Sequence, residues 1–316
     1  MVDAPVLPKE PGHPNRRPGL GYLMVMVAAT LFAANGVVSK VALSSELSSL
    51  QLTQIRATGA ALGLLVFLLA FARGRLRVGR RELLFLAVFG VTGVAFVQWL
   101  YFVAIENLPV GIALLIQFIA PIFIALFAWL VYHEHIRRRI WLALVLCVAG
   151  LAVVVEAWSG LAFDAIGVTA ALGGALALTI YVLMAERERQ HRDSVSLSFY
   201  GFLFAALFWA VVQPIWAFPW DTLDDSIPLQ GRFDAHTAPL WLLVGFVVVV
   251  GTMITFSLLT GSLRHISATR ASIVATLEPV LATVIAWLWL EETFGATQIV
   301  GGAVVLAGIF LAQTAR

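Results

Sequence analysis

The chain is made of apolar stretches close to the roughly 20 residues a helix needs to cross a bilayer, and little separates one from the next. They run from Gly21 to Val41, Leu52 to Phe71, Leu83 to Ala104, Val110 to Tyr132 and Ile140 to Val155. Five more run from Ile166 to Ala185, Ser198 to Phe218, Pro239 to Thr260, Ser267 to Leu290 and Ala296 to Ala312. Only helices and closed barrels satisfy every backbone polar group inside hydrocarbon, and barrel strands would be about 10 residues of alternating polarity. The unbroken runs therefore predict an all-α membrane protein with ten transmembrane helices. Hydrophobic residues are 61% of the chain and charged residues 12%, against about 45–50% and about 25% in soluble domains. A single soluble core could not hide that much apolar surface.

One pattern occurs twice. Pro121, Ala128-Trp129-Leu130, Glu134 and Ala149-Gly150 return 158 positions later as Pro279, Ala286-Trp287-Leu288, Glu292 and Ala307-Gly308. The expected organisation is a tail over 1–20, a five-helix repeat over 21–157 and a second five-helix repeat over 163–314. Short loops rich in Lys and Arg stay cytoplasmic. Arg73 to Arg81, Arg137 to Arg139, Arg187 to Arg192 and Arg264 all fall in even-numbered connections, whereas Glu46, Glu106, Glu156, Asp221 to Asp225 and Glu291-Glu292 fall in odd-numbered ones. Both termini are thus expected inside. Five spans per half means the second half starts from the opposite face, so the repeat is inverted, the geometry with which transporters alternate access to a central site.

The tail carries Pro5, Pro8, Pro11, Pro14 and Pro18 and reads as disordered. It is not expected to be a cleavable signal, because a polar stretch precedes a full-length span. The segment from Trp220 to Pro239 is expected as an acidic outer loop, with Trp216 and Trp220 as interfacial anchors. Cys147 is the only cysteine, so neither an intrachain disulfide nor a thiolate metal cluster can form.

Enzyme motifs fail on spacing. His133-Glu134-His135 lacks a second His four positions after the first, and Arg137 to Arg139 would repel a metal ion. There is no phosphate-binding Gly-rich loop and no pair of intramembrane carboxylates. No enzyme activity, cofactor, metal or nucleic-acid partner is expected.

Polar groups at membrane depth remain. Glu278 falls about 12 residues, roughly 17 Å, into its span, where an ionised carboxylate costs about 2.5 kcal/mol or more. It is either a titratable group that carries a proton or grips a cationic part of the cargo, or a protonated group locking helices together. Pro121 and Pro279 free the carbonyls of Gln117 and Ala275 and are read as hinges, with static bends as the alternative. Asn35, Gln98, Tyr101, Gln117, Tyr181, Thr252, Thr255, Ser272 and Thr276 are candidates to line a polar cavity, or else interhelical hydrogen bonds worth about 0.6 kcal/mol each. Arg56 is a candidate ligand for a substrate anion but is read as structural, and Lys40 as a side chain snorkelling to the interface.

Together these residues resemble the drug/metabolite transporter superfamily, EamA family. The resemblance rests on the ten-span inverted repeat, Phe32-Ala33-Ala34-Asn35-Gly36 to Lys40, Arg56, Pro121 to Glu134, and Glu278-Pro279-Val280 to Glu291-Glu292. Ala33-Ala34 departs from the Trp-Gly pair that many members carry there. The resemblance implies a central cavity formed by spans one, three, four, six, eight and nine, and movement of metabolites, often outward. The expected function is secondary active export of a small polar metabolite such as an amino acid across the cytoplasmic membrane, with proton coupling. The expected partners are a small-molecule substrate, protons and the lipid bilayer. A non-transporting membrane scaffold and a polytopic membrane enzyme, which would need a second polar group poised near Glu278, are the alternatives.

Overall fold

The computed structural model describes residues 17–132, 138–154, 164–188, 192–214, 216, 218–262, 265–266, 271 and 274–314. The described chain is helical almost throughout. In order the helices are α1 (Pro18–Leu43), α2 (Ser49–Phe71), α3 (Arg80–Val88), α4 (Phe96–Asn107), α5 (Val110–Gln117), α6 (Ala120–Tyr132) and α7 (Arg138–Val154). After these come α8 (Ala165–Glu188), α9 (Ser194–Val212), α10 (Leu240–Val248), α11 (Thr255–Ser262), α12 (Leu277–Leu290) and α13 (Ala296–Thr314). Among the described residues, six stretches are long and apolar enough to cross a membrane: Pro18–Leu43, Ser49–Phe71, Arg80–Asn107, Ala165–Ala185, Val195–Val212 and Leu240–Leu259. Val110–Ile124, Leu277–Leu290 and Ala296–Leu311 are shorter apolar helices. Large apolar side chains such as Phe71, Leu84 and Val211 lie exposed on the outside, the surface expected of a protein solvated by lipid.

Helix ends follow local chemistry. Pro18 stands in the first turn of α1, where its missing N–H costs nothing, so residues 18–20, assigned to the tail from sequence, are helical. Ser48 and Gln51 form a capping box at α2, and Asp193 caps α9 by accepting from the Val195 and Ser196 amides. Pro214 follows the end of α9 at Val212, short of the expected Phe218, because the residue before a proline is pushed out of helical geometry.

Two helices widen into π turns, at Phe89–Ala95 between α3 and α4 and at Val249–Ile254 between α10 and α11. In the second, the Thr252 and Thr255 hydroxyls donate to carbonyls five residues back, Val247 at 2.8 Å and Val250 at 2.6 Å. The hydroxyls thus stabilise the widened turn. Two further interruptions flank prolines. A turn at Phe118 and Ile119 separates α5 from α6 just before Pro121, and a turn at Thr276 precedes α12 and Pro279.

Helices α7 and α13 meet through small residues. A Cβ on Gly150 would lie 2.9 Å from the Gly301 carbonyl, one on Gly308 would lie 3.0 Å from the Ala143 carbonyl, and the Cys147 thiol donates to the Val305 carbonyl at 3.6 Å. Only small residues allow backbones to come this close. The expected loop from Trp220 to Pro239 holds a short antiparallel pair, β1 (Ser226–Pro228) with β2 (Thr237–Pro239). Its tip docks on the end of α12, where the Trp289 indole donates to the Leu229 carbonyl at 2.8 Å. Trp216 is exposed and Trp220 packs on Phe218, rings 4.7 Å apart.

Candidate functional site: a buried charge group

The π turn at Val249–Ile254 turns consecutive residues toward two different helices. Gly251 faces α1, where a Cβ would sit 1.9 Å from Asn35 Oδ1, so only glycine fits. Thr252 faces α2, and its oxygen accepts from Arg56 Nε at 2.9 Å. Because the Thr252 hydroxyl hydrogen is already committed to Val247, a lone pair is what the guanidinium meets. On its other side Arg56 lies over the Phe102 ring, 5.4 Å from the centroid, a cation–π arrangement strengthened where water is excluded. Arg56 is 5% exposed. The side chain stays inside, held by one hydrogen bond and one ring.

Tyr101 and Glu278 complete the group. Arg56, Tyr101 and Glu278 lie within electrostatic reach of one another. Tyr101 is buried, and its hydroxyl occupies the space a side chain on Gly36 would need, with an ideal Cβ there only 2.4 Å away. Gln98 lies one helical turn before Tyr101 and Phe102 and therefore on the same face of α4. The side-chain oxygens of Asn35 and Gln98 are buried with no hydrogen-bond donor among the described residues. Glu278 opens α12 just after the Thr276 turn and is partly exposed. Among the described residues it forms no hydrogen bond and no ion pair.

The remaining sequence candidates are placed elsewhere or adjacent. Gln117 is buried where α5 ends, facing Gly174 of α8. The Thr179 hydroxyl of α8 donates to the Ala175 carbonyl of its own helix at 2.9 Å and lies 3.3 Å from the Ala120 carbonyl, beside the α5–α6 break. Tyr181 stacks on Phe89 with ring centroids 5.2 Å apart, at the first π turn. Thr276 is the turn residue itself, and Thr255 serves the second π turn. Ser272 and Glu134 lie outside the described residues, so the structure brings together Asn35, Gln98, Tyr101, Thr252 and Glu278 from the sequence list. Sequence reasoning missed Phe102, Gly36 and Gly251. The glycines left a signal, since each interrupts an otherwise larger apolar face, whereas nothing local marks Phe102 as a platform for a cation.

A second polar cluster ties helix ends. Lys40 at the end of α1 pairs with Glu292 at 2.7 Å and donates to the Leu108 carbonyl at 2.7 Å, while the Val110 amide donates to the other Glu292 oxygen at 3.1 Å. Lys40 therefore does not snorkel into solvent: a carboxylate and a carbonyl on neighbouring chain ends hold it in the bundle. A small cleft open to the surface lies between α2, α9 and α11, lined by Ala60, Leu64, Ser198, Phe202, Thr252 and Phe256 among others. It reaches Thr252, the hydrogen-bond partner of Arg56, and does not include Glu278. No group of three metal-ligating side chains occurs among the described residues.

An all-helical bundle with a lipid-compatible exterior and buried opposite charges defines a multi-pass membrane protein with a polar interior. The EamA-like transporter family matches the chain twice, at residues 19–156 and 165–314, and the chain belongs to that family. A protein of Archaeoglobus fulgidus named "uncharacterized transporter" is 29% identical over 238 residues, 74% of this chain and 78% of its own length. The threonine/homoserine exporter RhtA of Escherichia coli K12 is 26% identical, covering 81% of this chain and 80% of its own. The pseudopaline exporter CntI of Pseudomonas aeruginosa is 25% identical, covering 94% and 97%. A solved crystal structure shares the fold with a TM-score of 0.58 at 19% identity, over 92% of this chain and 96% of that one.

Proposed function

We propose that this protein is a secondary active exporter of a small polar metabolite of the amino-acid type, working by alternating access in the cytoplasmic membrane. The observation that carries the reading is Glu278: a carboxylate in an apolar span, with no hydrogen bond or ion pair among the described residues, placed directly at a helix break. An acid so placed is expensive unless it serves the transported species or a proton. In this reading the carboxylate releases its proton to take the amine of the cargo and is reprotonated when the cargo leaves, which couples the two. The name of the threonine/homoserine exporter supports an amino-acid cargo, and the names of both exporter relatives support outward movement.

The proposed scaffold is ten spans in two inverted five-helix repeats, 21–157 and 163–314, with both termini cytoplasmic. Several observations support it. The family matches twice, the helix breaks fall 158 positions apart, and contacts exchange in pairs: Gly150 against Gly301 and Gly308 against Ala143 are the same contact with each residue moved by that offset. Pro121 and Pro279 then mark the hinges, and Lys40 with Glu292 closes the outer side.

Cysteine labelling tests the arrangement in a Cys147→Ala background. A cysteine at Asp224 should react with an impermeant maleimide from outside intact cells, and one at Arg75 only after permeabilisation. Reversed labelling would contradict the orientation and move Glu292 to the cytoplasmic side.

A further inference from the structure

We propose that the free edge of the Arg56 guanidinium is a carboxylate subsite opposed by Glu278 as an amine subsite, so that the cargo is a small zwitterion bearing both groups. This rests on the transport reading above and adds to it a second, opposite-charge contact and a rule for which molecules pass.

The argument begins with what Arg56 does not use. A guanidinium offers five N–H donors in a rigid fork. Among the described residues Arg56 spends only Nε, on Thr252. The two terminal nitrogens, which form the edge suited to a bidentate carboxylate, have no protein acceptor, although the side chain is 95% buried by its 5% exposure. Buried cations are normally paired, so a guanidinium left half-satisfied needs a reason.

Glu278 is the obvious neutralising partner, and it is withheld. The two groups lie within electrostatic reach of each other, yet among the described residues they form no ion pair. A purely structural role would close them into contact, since a buried pair is tolerable only when its geometry is good and its remaining donors are satisfied. Phe102 lies against one face of the guanidinium and Thr252 accepts from its Nε, while Glu278 stands in the first turn after Thr276, directly before Pro279. Two opposite charges on separate rigid supports, each with its hydrogen-bonding edge unspent, complement a molecule whose own opposite charges sit on one carbon.

The neutral groups around them have matching polarity. Asn35 Oδ1 and Gln98 Oε1 are buried acceptors without donors, suited to the N–H groups of an ammonium or to a hydroxyl on the cargo. A simple cation would leave Arg56 uncompensated, and a simple anion would leave Glu278 so. The arrangement therefore discriminates against both, by stranding a buried charge rather than by shape alone.

The test uses purified protein in liposomes loaded with equimolar natural L-amino acids, their C-terminal amides and the matching 2-hydroxy acids, with efflux followed by mass spectrometry. At least one amino acid should leave about tenfold or more faster than both its amide and its hydroxy acid, the discrimination expected from losing hydrogen bonds to a buried charge. Arg56→Lys, which keeps the charge but loses the fork, should raise the half-saturating concentration for that amino acid by a similar factor and leave the value for its amide unchanged. Amides leaving as fast as acids would overturn the carboxylate subsite while leaving the transport reading standing. Efflux of none of the three classes would overturn both. Should Arg56→Lys fail to fold, the selectivity of the unaltered protein decides.

Discussion

Phe118 and Thr276 stand 158 positions apart and hold nearly the same backbone, φ −69° and ψ 0° against φ −66° and ψ −9°, each where a helix is interrupted three residues before a proline. Proline removes one N–H and clashes with the carbonyl four residues earlier, so the same break arises in both places from the same cause. Beside the first break the Ala120 carbonyl lies 3.3 Å from the Thr179 hydroxyl of α8, whose shorter bond is to the Ala175 carbonyl at 2.9 Å. The second break falls two residues before Glu278.

The two prolines should matter to rate more than to folding. Pro121→Ala or Pro279→Ala restores the missing hydrogen bond and straightens the segment. Each should lower the transport rate severalfold while the protein remains folded in the membrane, because the hinge positions absorb the change in shape. Unchanged kinetics in both variants, measured as initial efflux from liposomes, would reduce the prolines to static bends.

The Lys40–Glu292 pair should bias which side of the protein is open. Both side chains are largely withdrawn from solvent, with 24% and 12% exposure. Removing one charge costs about 1.5–3 kcal/mol of that closure, enough to shift a balanced equilibrium by about tenfold or more. Glu292→Gln should raise the labelling rate of a cysteine placed at Val110, read with an impermeant maleimide from outside. A rate equal to that of the parent cysteine variant would show that the pair closes nothing.

The seam between α7 and α13 should be sensitive to a single methyl group. An added Cβ at Gly301 would lie 2.8 Å from the Val154 amide nitrogen and 2.9 Å from the Gly150 carbonyl, both backbone atoms that cannot rotate away. Overpacking of this kind costs about 1–3 kcal/mol, so Gly301→Ala should lower the melting temperature of the detergent-solubilised protein. Gly245→Ala, where nothing stands within 4 Å, is the control and should melt with the parent.

How much of this was legible beforehand depended on whether the cause was local. Apolar runs, caps and prolines act within a few residues, so helix positions and the two breaks could be read from sequence. The second π turn could not, because it depends on Thr252 and Thr255 reaching back five residues, a choice that competes with ordinary helix geometry. The site was half legible. Asn35, Gln98, Tyr101, Thr252 and Glu278 were conspicuous as polar residues in apolar spans, but Arg56 meets Thr252 across 196 positions and Lys40 meets Glu292 across 252. Only tertiary packing chooses such partners. That is why Lys40, expected to snorkel, proves to be held in the bundle by Glu292 and the Leu108 carbonyl.

The central claim is that Glu278 exchanges the cargo amine for a proton. Its most direct test compares two activities of Glu278→Gln in liposomes: export of an amino acid driven by an imposed pH gradient, and exchange of labelled for unlabelled amino acid without one. Loss of both, with the protein still folded, is the predicted result, because glutamine neither carries the proton nor compensates the ammonium. Survival of exchange with loss of pH-driven export would leave Glu278 a proton carrier that does not touch the cargo. Wild-type rates and wild-type pH dependence in both assays would contradict the account and leave Glu278 as a group that only holds helices together.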